Sequence, residues 1–283
     1  MKKIMRRVNP RVYTREYYLN DCSGYQEFQQ SWGEELEPRF VEIIDKIPVK
    51  KGDLVLDIGC GRGELVLWAT QRGARAVGVD YSAVAIKLAN SARCRWPKKN
   101  RKATKFKQMD AKQLKFPDQS FNLIIMSEVW EHIYPEEQEI ALKEMKRVLK
   151  KTGQIFIHTA PSRWFNDYTY RFWCYPMSSL MVGVCNLFKK NDNYPNLAPW
   201  SQIRSDSHQL MHVAEPDYFS MKKLFNKMQL KGSIKSTNVT VLKPELSWKD
   251  KLFNALVYLH PLGTKFPFNV LWGNDFFVLL QKS

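Results

Sequence analysis

The sequence predicts an α/β protein built on a doubly wound, largely parallel sheet. Three observations predict it. Residues 54–65 read LVLDIGCGRGEL, an apolar run followed by Gly59, Gly61 and Gly63 and then by helical apolar spacing at Leu65, Val66 and Trp68. Further strand-like runs follow as far as residue 159, with helical stretches among them. Two of these runs end in an acid, at Asp80 and at Asp110.

Taken in order, residues 13–44 mix Tyr13, Tyr17, Tyr18, Tyr25, Phe28 and Trp32 with charges and predict an amphipathic helical cap. The glycine segment predicts strand, tight turn and helix. Glycines suit such a turn because no Cβ obstructs it, so that a ligand can lie against the main chain beside a helix N-terminus. An ordinary tight β–α turn would look the same. Residues 76–80 (AVGVD) predict a second strand, 82–92 its helix, and 106–110 (FKQMD) a third strand. Residues 121–126 (FNLIIM) predict a fourth strand that runs into Ser127, Glu128, Val129, Trp130, Glu131 and His132. A helix over 136–149 follows, with Lys151, Thr152 and Gly153 read as its C-cap, and then a fifth strand over 154–159 (QIFIHT).

Residues 161–215 are too aromatic for a disordered linker and read as a lid. Within them, residues 172–188 carry no charge, but a stretch of roughly 17 residues falls short of the ~20 needed to span a membrane. A buried or interfacial helix is expected there, with peripheral membrane contact open. Residues 216–230 have helical spacing, 233–242 alternate like a strand, 248–258 form an amphipathic helix, and 275–281 (DFFVLLQ) read as a last strand.

The 283 residues are 44% hydrophobic and 25% charged, which suits one large soluble core with elaborations. Five cysteines without a C-x-x-C pair indicate neither a disulfide framework nor a zinc knuckle. The basic N-terminus has no apolar segment after it, so no secretory signal is read and a reducing cytoplasm is expected. A net charge of +16 invites an anionic partner. Its densest run, from Arg93 to Lys107, lies between a helix and the next strand. In an open α/β sheet that connection is opposite the ligand crevice, so the run reads as a solvated face or a remote docking surface.

The order LDIGCGRG, GVD, QMDA, SFNLIIMSEVWEHI and RVLKKTGQIFIHTAPS, over roughly residues 50 to 160, resembles the class I S-adenosylmethionine (SAM)-dependent methyltransferases. The resemblance implies a Rossmann-like sheet of seven strands whose last strand is antiparallel and slots into the sheet edge. It divides the chain into a helical cap (1–49), a SAM-binding core (50–160), a substrate lid (161–215) and a C-terminal part of the sheet (216–283). Carried over by position, Asp57, Gly59, Gly61 and Gly63 would line the methionine and ribose end of SAM. Asp80 would hold the ribose hydroxyls, Met109 and Asp110 would flank the adenine, and Ser127 would lie by the sulfonium. A nicotinamide-binding domain is the competing reading, but G-x-G-x-G stands here in place of G-x-G-x-x-G.

Methyl transfer requires an acceptor held in line with the sulfur–methyl bond, and for a hydroxyl acceptor a base or a metal to deal with its proton. If the chain is helical after the fourth strand, Glu128, Glu131 and His132 share a face and could gather a divalent cation. This ExxEH pattern is similar to that of small-RNA terminal 2′-O-methyltransferases and ubiquinone-biosynthesis O-methyltransferases. In that case His208, or less readily His212, would be the fourth ligand. Without a metal, His212 is the first candidate base and His132 the next, while His158 reads as a hydrogen-bonded core residue. A small-molecule acceptor, apolar or aromatic and methylated on a hydroxyl oxygen, is the leading reading. RNA ribose 2′-O-methylation and a non-catalytic SAM-binding subunit are the alternatives.

Overall fold

The computed structural model describes residues 8–187, 197–204, 210–238 and 246–283. Ahead of the sheet come a short 3-10 turn, a π-helical turn over Tyr17–Asp21, and two helices, α1 (Tyr25–Ser31) and α2 (Pro38–Ile44). The expected cap is present but broken into pieces. Gly24 and Trp32 take left-handed conformations at the two ends of α1, and Pro38 opens α2 at its first turn, where a missing N–H is harmless.

The core then runs β1 (Leu54–Ile58), α3 (Glu64–Gln71), β2 (Arg75–Asp80), α4 (Ala83–Arg93), α5 (Lys98–Ala103), β3 (Thr104–Gln108), β4 (Phe121–Ser127), α6 (Pro135–Val148) and β5 (Leu149–Thr159). A π-helical stretch, Phe165–Cys174, leads directly into α7 (Tyr175–Leu187). The chain closes with α8 (Tyr218–Lys227), β6 (Leu230–Thr237), α9 (Trp248–Val257), α10 (Asn269–Trp272) and β7 (Asp275–Lys282).

The strands form one seven-stranded sheet in the order β3-β2-β1-β4-β5-β7-β6. The first five pair in parallel and β7 is antiparallel to both of its neighbours. The antiparallel last strand is as expected, but it lies between β5 and β6, so β6 forms the outer edge. Strand direction alternates side chains between faces, and each face has its own core. Leu56, Ile58, Ile124 and Ile157 pack with Leu142 and Met145 of α6 and with Phe225 of α8. Val55, Leu123, Ile125 and Phe156 pack on the other side with Ile43 of α2 and with Val66 and Trp68 of α3. Covering both faces explains why the central strands are almost continuously apolar.

Helix α6 is capped by Leu149 itself, which takes an extended conformation, donates its N–H to the Met145 carbonyl and begins β5, and this corrects the expected C-cap at Lys151–Gly153. The β4–β5 register jumps from Phe121↔Leu149 to Leu123↔Gln154, so residues 150–153 bulge from the ladder. A Cβ on Gly153 would come within 2.9 Å of the Asn122 carbonyl, so its glycine serves a close approach in that bulge.

The strand order reverses between β1 and β4, and that switch point opens a crevice at the carboxyl ends of the strands. Asp57 pairs with Ile125 and Ile58 with Val79, so the turn after β1, the acid ending β2 and the segment after β4 all reach the same rim.

Candidate active site

A cavity of about 1190 Å³ occupies that rim, with its floor formed by the turn after β1 and its roof by the N-terminal cap, the stretch after β5 and α9. Gly59 has φ 73° and donates to the Val79 carbonyl at 2.7 Å, and a Cβ there would lie 2.2 Å from Val129. Turn and β4 rim therefore fit together only with glycine at that position. Gly61 lines the cavity and its N–H donates to Asp80 Oδ2 at 3.1 Å. Gly63 does not line it. A Cβ on Gly63 would lie 2.7 Å from Phe106, so this third glycine packs α3 against β3.

Asp80 is buried and lines the cavity, with Oδ1 accepting the Ser82 N–H at 2.8 Å. Burial raises its pKa to about 6, although backbone N–H donors from Ser82, Gly61 and Tyr81 oppose the rise. Asp57 is fully buried beside it and is pushed up to about 8 by burial, with the charges of Asp80 and Glu64 adding to the shift. Ser127 also lines the cavity, and its buried hydroxyl has no hydrogen-bond partner among the described residues. Met109 and Asp110 lie outside the cavity lining. The strand ends at Gln108, and Asp110 turns back to accept the Lys112 N–H at 2.9 Å.

Arg62, inside the glycine motif, is a residue that motif reading passed over. It is 3% exposed and donates to the carbonyls of Tyr18 at 2.8 Å and Ser23 at 2.6 Å, with Glu64 accepting from Nε at 2.7 Å. One side chain of the turn thus pins the cap over the cavity. Tyr13, Tyr17 and Tyr18 of that cap cluster together, with Tyr17 edge-on to both of the others, Tyr13 stacked on Tyr18, and Tyr13 edge-on to Tyr81. An Arg62→Ala variant is expected to weaken SAM binding by about tenfold in calorimetry, because charge-assisted hydrogen bonds of this kind contribute about 1.5–3 kcal/mol each. It should also increase proteolysis within residues 13–24. Unchanged affinity would count against the cap as part of the cofactor site.

At the far side of the rim, Glu128 takes φ 57° and only Trp130–His132 coil, as a 3-10 turn. The three residues of the ExxEH pattern therefore do not share a helical face, which corrects the expected geometry. Glu128 swings to Arg39 at 2.6 Å, and Arg39 also donates to Asp275 at 3.0 Å. His158 is buried between the same two acids, 3.3 Å from Glu128 and 3.4 Å from Asp275, in the core position expected for it.

Glu131 and His132 turn the other way. The buried Glu131 carboxylate accepts the Thr159 hydroxyl at 2.7 Å, and burial together with the Glu128 charge raises its pKa. Tyr13 Oη lies 2.9 Å from His132 Nδ1. The His132 and His212 rings meet edge-on with centroids 4.8 Å apart. The Ala214 N–H donates to the Glu131 carbonyl at 3.0 Å, and that backbone bond brings the His212 segment to the rim. Ligand atoms of Glu131, His132 and His212 all lie within 4.8 Å of one another, so these three, without Glu128, are the residues that could gather a cation. His208 lies outside the described residues.

The strand order, the glycine turn and the buried acid at the end of β2 are the arrangement of the class I SAM-dependent methyltransferase fold, in which SAM is the methyl donor. Residues 56–157 match the family model described as methyltransferase domain, and this part of the chain is a domain of that family. Among curated proteins, the Bos taurus "Probable tRNA methyltransferase 9B" is 34% identical over 110 residues, covering 38% of this chain and 22% of that protein. The 27-O-demethylrifamycin SV methyltransferase of Amycolatopsis mediterranei is 28% identical over 134 residues, covering 47% and 48%. The chain thus spans less than half the length of these relatives. A chain in the complex between the Haloferax volcanii Trm112 methyltransferase activator and a methyltransferase shares the fold, with a TM-score of 0.57 and 14% identity over 94% of this chain and 96% of that one.

Proposed function

We propose that the protein transfers a methyl group from SAM to a hydroxyl oxygen of a small-molecule acceptor. The observation that carries this reading is a single cavity that runs from the Gly59–Gly61 turn to the His132–His212 pair under an aromatic roof that includes Tyr17, Phe165, Tyr170 and Tyr258. Such an enclosure suits an apolar or aromatic small molecule. The exposed basic side chains of the run from Arg93 to Lys107 lie outside it, from the end of α4 through α5 to β3 at the edge of the sheet, which supports a small acceptor over RNA.

Asp57, Gly61, Asp80 and Ser127 would hold SAM, and the bound cofactor supplies the electrophilic methyl group. The acceptor's proton then falls to His132. Tyr13 is hydrogen-bonded to Tyr81 as well as to His132, and burial keeps its phenol protonated. With the Tyr13 O–H directed to Tyr81, its oxygen accepts from His132 Nδ1–H, and Nε2, which lies 3.9 Å from the Glu131 carboxyl, would act as the base. Proximity and orientation supply much of the remaining rate. The relative named for a 27-O-demethyl substrate supports an oxygen acceptor.

The test is turnover of labelled SAM with hydroxylated aromatic acceptors at rising salt and with EDTA. Turnover that is insensitive to both is expected. A steep fall with salt would favour RNA, whose binding weakens as counterions compete, and loss in EDTA would assign a cation to Glu131, His132 and His212.

A further inference from the structure

We propose that the outer face of α7, α9 and the segment around α10 docks on an anionic lipid bilayer. Helix α9 is apolar on two sides. Phe253 and Val257 are buried against Phe165 and Cys174, while Trp248, Leu252 and Leu256, spaced one turn apart, are 68%, 40% and 41% exposed. Helix α7 repeats the arrangement, with Met177 and Met181 packed inward and Leu180, Val184 and Leu187 exposed. The two helices pack on each other. Trp173 joins them to the next element, donating to the Leu256 carbonyl at 3.1 Å and meeting Trp272 edge-on. Around that joint Phe172, Phe266 and Leu262 are exposed as well. A helix that stays apolar on the side facing away from its own core is matched to a second apolar phase.

Charge selects the phase. Over residues 168–187 and 248–272 the charged residues are Arg171, Lys249, Lys251 and Lys265 against Asp250 alone. Asp250 is turned inward, where it lines the cavity and caps its own helix with Ser247. The face is therefore aromatic and aliphatic with a basic rim, the composition that seats amphipathic helices among headgroups, where each basic residue is drawn to anionic lipid. A second copy of the chain fits poorly, since each copy carries +16. No helix among the described residues is long and apolar enough to cross a membrane, so the contact is peripheral. Phe253 and Asn254 of α9 line the cavity directly behind this face. If the cavity is the acceptor site proposed above, an apolar acceptor enters it from the bilayer; the docking itself does not depend on that reading.

The experiment is flotation of the full chain with phosphatidylcholine vesicles with and without about 30 mol% phosphatidylglycerol. It is repeated with a Trp248→Ser, Leu252→Ser, Phe266→Ser variant and with a Lys249→Glu, Lys251→Glu variant, and SAM affinity and circular dichroism are measured alongside. All five substituted side chains lie outside the cavity lining. Binding is expected on anionic vesicles and is expected to fall at least about tenfold in each variant, with SAM affinity unchanged. Absence of vesicle binding, or equal binding by wild type and the apolar variant, which would move the contact to the basic run at 93–107, overturns the proposal. So does a concentration-dependent dimer of the wild type that the apolar variant abolishes, since a second copy would then cover the face. Failure of SAM to bind the wild type would instead count against the cofactor site and leave the vesicle result to be judged separately.

Discussion

A His132→Ala variant is expected to lose about 10²- to 10³-fold in kcat while its SAM dissociation constant stays within about twofold, because general-base catalysis contributes on that order. His132 lines the cavity at the opposite side of the rim from the glycine turn, so removing it should spare cofactor binding. A Tyr13→Phe variant separates base from scaffold. It removes the oxygen placed 2.9 Å from Nδ1 but keeps the ring cluster with Tyr17 and Tyr81, so kcat should fall by about tenfold without loss of fold. A His212→Ala variant tests the other imidazole. If His212 were the base, its loss would exceed that of His132→Ala, and the roles of the two imidazoles would be exchanged.

What the sequence made legible is what is local in it. A strand, a glycine turn and a helix follow one another without interruption from Leu54 to Gln71, and the acid at Asp80 ends the next strand, so each is readable from spacing alone. Residue 128 was visible as a candidate, but the left-handed backbone that turns Glu128 toward Arg39 was not, because nothing in SEVWEH distinguishes a helical turn from that kink. The contacts that organise the rim after β4 join residues far apart along the chain. Tyr13 meets His132 across 119 positions and Arg39 meets Asp275 across 236, and no local pattern encodes such pairs. Arg62 was missed for the opposite reason. It lies within the motif, but the motif is defined by the glycines around it, whereas its partners Tyr18 and Ser23 belong to the cap. The Met109–Asp110 pair was assigned from position in a motif. The early end of β3 at Gln108 leaves those two residues off the cavity wall.

The affinity for SAM is expected to rise with pH, and the stability of the cofactor-free protein to fall, for a common reason. Asp57 and Asp80 are pushed up to about 8 and about 6, mainly by burial. An acid whose folded pKa lies above its unfolded value stabilises the fold fully below the unfolded value, and that contribution is lost as pH rises through the folded pKa. The window here runs upward from the ordinary 3.8 through about 6 for Asp80 and about 8 for Asp57. A sulfonium and an ammonium brought into this pocket favour the ionised acids, so binding expels protons and tightens as pH rises, by roughly tenfold between about pH 6 and pH 8.5. An Asp57→Asn variant removes the buried charge with little change of shape. At about pH 8.5, without cofactor, it should melt roughly 2–6 °C above wild type, and near pH 4.5 no higher than wild type. It should bind SAM at least about tenfold more weakly, with a flattened pH profile. An Asp80→Ala variant should lose still more affinity, because it also releases the Gly61 and Ser82 N–H groups that shape the turn. A wild-type dissociation constant independent of pH across this range would show that neither acid changes protonation on binding and would remove Asp57 from the cationic end of the site.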